Sequence, residues 1–145
     1  MSTLQKAIEI AVKAHSDQKR KNGDPYILHP IRVLLKMETE EEKIIAILHD
    51  VVEDTVITEK DLIAAGFSDK VICMLQVLTH AKEESYDKYI DRILYYPTAR
   101  KVKMADLQDN MNLDELPEIT DYDIRRTQKY IKALALIKKA EREKK

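Results

Sequence analysis

The sequence predicts an all-α fold, a single compact helical bundle, from three observations. Apolar residues recur at the three-and-four spacing of a helix face along most of the chain. No stretch alternates apolar and polar residues as a half-buried strand does. Glycine and proline number only two and four in 145 residues, too few for the tight turns of a loop-rich β protein.

The elements follow in order. Leu4, Ala7, Ile8, Ala11 and Val12 mark one face of a first helix. Gly23 and Pro25 break the chain, and a short helix starts near Pro30, a residue suited to a first helical turn. Thr39 with Glu42 reads as a capping box that opens a helix through Ile44, Ile47, Leu48 and Val51. Thr58 caps a brief helix that Gly66 stops, and Ser68 caps the next, through Val71, Leu75 and Leu78. A helix over 85–95 is separated by Pro97 from one that carries Val102 to Met111. Pro117 breaks the chain again, and Thr120 with Asp123 opens a final helix whose stripe is Ile124, Thr127, Ile131, Leu134 and Ile137. No repeat or linker divides the chain, so residues 1–145 read as one domain.

A 44% hydrophobic share supports a folded core rather than disorder. Cys73 is the only cysteine, which excludes a disulfide framework, and its neighbours Val71, Ile72 and Leu75 suggest a core thiol. With 25 basic and 26 acidic residues the net charge is -1, so no global field recruits nucleic acid or an anionic membrane. Residues 1–13 are amphipathic rather than signal-like, and the most apolar stretch, 44–52, is interrupted by His49 and Asp50. A reducing cytoplasm is the expected compartment. The tail 138–145 reads as a solvated helix end, and the sequence is compatible with an oligomer.

Some polar residues do not fit a plain bundle. With His49 at 0° and about 100° per residue, Asp50 lies near 100°, Glu53 near 40° and Asp54 near 140°. The apolar residues of that helix occupy roughly 160° to 320°. One histidine and three carboxylates thus share an arc, either as a solvated acidic stripe or as a cation site. Asp106 and Asn110, four apart, stack on a second helix, and His29 precedes Pro30 on a third segment. Taken singly, each has an ordinary structural explanation. Together His29, His49, Asp50 and Asp106 form a nitrogen/oxygen donor set that suits Mn²⁺, Fe²⁺ or Zn²⁺, the layout of metal-assisted hydrolysis. Glu53 and Asp54, one turn on, are spaced to orient or deprotonate water.

Three segments carry a family resemblance: AHSDQKRKNGDPYILHPIRV at 14–33, LHDVVEDT at 48–55 and VKMADLQDN at 102–110. In this order they resemble the HD-domain metal-dependent phosphohydrolases, and more narrowly the hydrolase domain of the Rel/Spo alarmone enzymes and their small stand-alone relatives. The resemblance implies one Mn²⁺ on His29, His49, Asp50 and Asp106, water activation by Glu53 and Asp54, and removal of the 3′-pyrophosphate from (p)ppGpp. It also implies nucleotide binding by Arg20, Lys21, Asn22 and Asn110. Arginine can stack on a purine, lysine neutralises phosphate and asparagine donates to oxygen.

Two departures bear on the nucleotide. Leu107-Gln108-Asp109 stands where the family usually has Arg or Lys and then an aromatic or His, and Asn112-Leu113 replaces Arg-Thr. The chain is too short for the further domains of the long enzymes, so a hydrolase-only protein is expected. Alternatives at this stage are a phosphatase for another nucleotide, such as NADPH or a nucleoside monophosphate, and a non-catalytic nucleotide-sensing module. His80 reads as structural, and Tyr86, Tyr89, Tyr95 and Tyr96 as packing residues.

Overall fold

The computed structural model describes residues 2–114 and 116–143. Its elements are α1 (Leu4–Ala14), α2 (Leu28–Leu35), α3 (Glu40–Asp54), α4 (Glu59–Ala64), α5 (Asp69–Leu78), α6 (Tyr86–Ile93), α7 (Pro97–Asn110) and α8 (Asp121–Glu143). Among the described residues the only strand-like pairing is one antiparallel bridge, Lys19 with Pro25. No helix there is long and apolar enough to cross a membrane.

Side-chain caps fix most helix starts. Thr3, Ser68 and Ser85 each accept from the backbone N–H three residues on. Thr39/Glu42 and Thr58/Asp61 are full capping boxes, and Thr120 and Asp123 bond each other's backbone reciprocally. Gly66, at φ +96°, ends α4. Its N–H reaches the Ile63 carbonyl and that of Phe67 reaches Leu62, the Schellman pattern, with both Leu62 and Phe67 buried.

The core lies around α3, which packs against α1, α2, α5 and α7. Every residue from Ile44 to Val51 is buried, so this helix spans the interior instead of lying on it. Burying one such Leu or Ile contributes roughly 1.5–3 kcal/mol. On its far side α7 contacts α2, α5, α6 and α8. The ends of α3 and α7 and the start of α2 therefore meet inside the protein.

Four expectations need correction. Cys73 is exposed, because it falls on the Asp69–Gln76 side of α5 while Val71, Ile72, Met74 and Leu75 turn inward. Tyr95 and Tyr96 are exposed, whereas Tyr89 is buried and Tyr86 packs against the core. On α8 the inward residues are Asp123, Ala133, Ile137 and Ala140, with Tyr130 and Leu134 beside them. Ile124 and Ile131 face solvent. The packed face follows Ala133, Ile137 and Ala140 at helical spacing, and on that face the Asp123 carboxylate is bonded by Thr120 and by Lys21 at 2.6 Å. Val12, at the edge of the α1 stripe, is also exposed. Lys144 and Lys145 of the tail lie outside the described residues.

Candidate metal centre

Three helices deliver the cluster. His29 sits in the first turn of α2, where Pro30 can follow because first-turn N–H groups have no helical partner. His49 and Asp50 come from α3 and Asp106 from α7, and all four are buried. One ligand atom from each lies within 4.8 Å of every other. The solvated-stripe explanation therefore fails for His49 and Asp50, while Glu53 and Asp54 are indeed exposed at the end of the same helix.

The two imidazoles are oriented alike. His29 Nδ1 lies 2.6 Å from Asp109 Oδ2, and His49 Nδ1 lies 2.6 Å from the Ala46 carbonyl. Both acceptors require a proton on Nδ1, which leaves Nε2 of each ring turned to the cluster. There His29 Nε2 is 2.8 Å from Asp106 Oδ1, and His49 Nε2 is 3.4 Å from that oxygen and 3.2 Å from Asp50 Oδ1. Two Nε2 atoms and two carboxylates converging in a buried space fit a divalent cation of the Mn²⁺, Fe²⁺ or Zn²⁺ kind.

Electrostatics say the same. Burial disfavours charge on His49, yet the Asp50 and Asp106 carboxylates outweigh it and push the ring up to about 10. Asp106 would be raised by burial, but Lys103, 3.0 Å from Oδ2, and the two histidines hold it well below the carboxylate range. The cluster thus favours positive charge at its centre. Tyr26 donates its hydroxyl to Asp50 Oδ2 at 2.6 Å, and Asn110 donates to Asp106 Oδ1 at 3.3 Å.

Glu53 is raised to about 7, first by desolvation and then by Asp50 and Asp54. Asp54 is raised for the same reasons, the protein packed around its carboxyl before Asp50, although both side chains keep an edge in solvent. A carboxylate near neutrality at the rim of a cation site is suited to accept a proton from water.

Next to the cluster opens a cavity of about 330 Å³ whose lining includes Lys19, Arg20, Lys21, Asn22, Tyr26, Asn110, Arg126 and Tyr130. The first four belong to a small hairpin closed by the Lys19–Pro25 bridge. Gly23, at φ +91°, turns its tip, and the side chains of Asn22 and Asp24 brace it. Arg20 donates to Asn110 Oδ1 at 3.3 Å, and Lys21 pairs with Asp123. All four residues expected to bind nucleotide therefore line one cavity, though Lys21 is engaged by α8.

Tyr26, Lys103, Asp109, Arg126 and Tyr130 were not read from the sequence as site residues. Tyr26 stood inside the quoted opening segment, and Lys103 and Asp109 inside the third, so proximity to the ligands was their available signal. Arg126 and Tyr130 had none, since only packing of α8 brings them to the hairpin. Arg126 Nε is buried without a hydrogen-bond partner among the described residues and borders this cavity. His80 bonds the Glu84 carbonyl and stacks on Tyr89 at 4.8 Å, a structural role as expected.

Comparison with known proteins agrees with this architecture. The chain is 34% identical over 120 residues to a guanosine-3′,5′-bis(diphosphate) 3′-pyrophosphohydrolase of Aquifex aeolicus (strain VF5), covering 74% of this chain and 17% of that protein. With a protein of the same name from Borreliella burgdorferi it is 41% identical over 78 residues, 51% of this chain and 12% of the other. The chain thus spans less than a fifth of the length of these relatives. A solved structure described as a metazoan ortholog of SpoT that hydrolyzes ppGpp superposes with a TM-score of 0.76 at 22% identity, covering 99% of this chain and 96% of that one. The likeness shows a shared fold. A model of the HD domain family matches residues 7–112, the stretch that contains all three helices carrying the cluster, and the chain belongs to that family.

Proposed function

We propose that this chain is a divalent-cation-dependent hydrolase that removes the 3′-pyrophosphate from (p)ppGpp. Water adds to the phosphorus attached to the ribose 3′ oxygen, that P–O bond breaks, and pyrophosphate leaves behind GDP or GTP, with a proton on the 3′ oxygen. The observation that carries this reading is the continuity of the cluster with a cationic cavity. Asn110 bonds both Asp106 and Arg20, and Tyr26 lines the cavity while bonding Asp50. The relatives bearing this activity in their names support it.

In this reading His29, His49, Asp50 and Asp106 hold the cation, which we assign as Mn²⁺; it supplies Lewis acidity toward a phosphate oxygen. Glu53 takes the proton of the attacking water, and Asp54 orients that water. Arg20, Lys21 and Asn22 receive the nucleotide, and Asn110 donates to its oxygens. Arg126 adds positive charge to the same wall, and the Tyr130 ring offers a stacking face. The substrate is a small nucleotide and the compartment the cytoplasm.

The test is a product panel. Mn²⁺-loaded protein is incubated with ppGpp, NADPH and nucleoside monophosphates, and products are identified. Pyrophosphate and GDP from ppGpp, absent in His49→Ala and Glu53→Ala, are the expected result. Orthophosphate from another nucleotide with ppGpp untouched overturns the substrate assignment, and binding without any turnover overturns the enzyme.

A further inference from the structure

We infer that Asp109, clamped by Arg32, is a positioning residue that fixes the His29 ring for a divalent cation. The inference rests on the metal centre proposed above and goes beyond its four ligands. Asp109 follows Asp106 by three residues on α7, so the two carboxylates grip the same imidazole from opposite sides. Asp106 Oδ1 meets Nε2 at 2.8 Å and Asp109 Oδ2 meets Nδ1 at 2.6 Å. Arg32 donates from Nε to Asp109 Oδ1 at 2.6 Å and from Nη2 to Oδ2 at 3.0 Å. This two-point contact fixes the carboxylate plane and neutralises it beside Asp106.

The consequence is a defined tautomer. An ionised carboxylate only accepts, so once a cation takes the Nε2 lone pair the one remaining ring proton of His29 is held on Nδ1 by Asp109. His49 reaches the same state through the Ala46 carbonyl, a backbone group. One ring is therefore set by main chain, which substitution leaves in place, and the other by a side-chain pair, which substitution removes without touching a ligand. This is also what distinguishes Asp109 from a buried carboxylate that merely braces α7 against α2.

The decisive variant is Asp109→Asn. Arg32 has only N–H groups to offer, so it claims the amide oxygen and leaves the NH₂ facing Nδ1, which favours the wrong tautomer. In the full-length chain, Mn²⁺ affinity measured by the EPR signal of free Mn²⁺ is expected to fall about 10- to 100-fold. Arg32→Gln is expected to weaken binding less. The double variant is expected to bind no more weakly than Asp109→Asn alone, because Arg32 acts through Asp109. In the Zn²⁺-loaded protein, ¹⁵N-edited NMR is expected to show a protected His29 Nδ1–H that Asp109→Asn loses.

An Asp109→Asn protein that binds Mn²⁺ within twofold of the unmutated chain overturns the inference, as does retention of that Nδ1–H. If Asp109→Asn does not fold, Arg32→Gln carries the test, and unchanged affinity there overturns it equally. Unmutated protein that binds no Mn²⁺ overturns the metal centre itself, a result distinct from either.

Discussion

The two longest helices, α3 and α8, break the inside–outside rule in opposite directions. On α3, His49 and Asp50 are buried among Ile47, Leu48 and Val51. On α8, Ile124 and Ile131 face water while the carboxylate of Asp123 is buried. Inward polar groups on α3 meet a histidine from α2 and a carboxylate from α7, an arrangement that asks for a cation. The inward polar group on α8 meets Lys21 and Thr120, and its charge is already neutralised. A buried charge signals chemistry only where its neighbours leave it uncompensated.

The largest effect should come from breaking the α3 cluster. His49→Ala is expected to lower pyrophosphate release at least ~10³-fold and to abolish stoichiometric Mn²⁺ in metal analysis of the purified protein. Next is Glu53→Gln, expected to reduce kcat by about 10²- to 10⁴-fold while Mn²⁺ stays bound. In the proposed reaction the proton acceptor must be ionised, so the unmutated chain should gain kcat/KM with rising pH along a limb centred at or below about 7, since a neighbouring dication favours the carboxylate. Glu53→Gln should lose that limb; a pH–rate profile decides it.

Stability separates the two helices in the same order. Leu48→Ala, at a fully buried α3 position, should destabilise by about 2–5 kcal/mol in urea unfolding. Thr39→Ala, which removes one half of the α3 capping box, should cost about 1 kcal/mol. Ile131→Gln on the outer face of α8 should change stability by no more than about 0.5 kcal/mol. A large loss there would mean that this face is covered in solution.

Much of this was legible locally. The capping box at Thr39, the apolar run behind it and the His49-Asp50 pair sit within sixteen residues, and each has a short-range physical cause. The donor types of His29 and Asp106 were readable too, although their meeting depends on how α2 and α7 pack. The α8 register was not legible, because it depends on tertiary packing of Ala133 and Ile137 and on a partner for Asp123, Lys21, that lies 102 residues away. Cys73 could have been placed correctly, since Asp69, Cys73 and Gln76 form a polar stripe at helical spacing. Asp109 reads in the motif as a departure bearing on the nucleotide; its contacts with His29 and Arg32 depend on the packing of α2 against α7.

The 19–25 hairpin has an energetic consequence. Its tip is tied to α7 through Arg20 and Asn110, and to α8 through Lys21 and Asp123. A loop left free would surrender rotamer and backbone freedom on binding an anion, at about 0.5–1.5 kcal/mol for each side chain immobilised. Here that ordering has occurred during folding. A phosphate-bearing ligand entering the cavity meets a preorganised wall and keeps more of its contact energy as affinity.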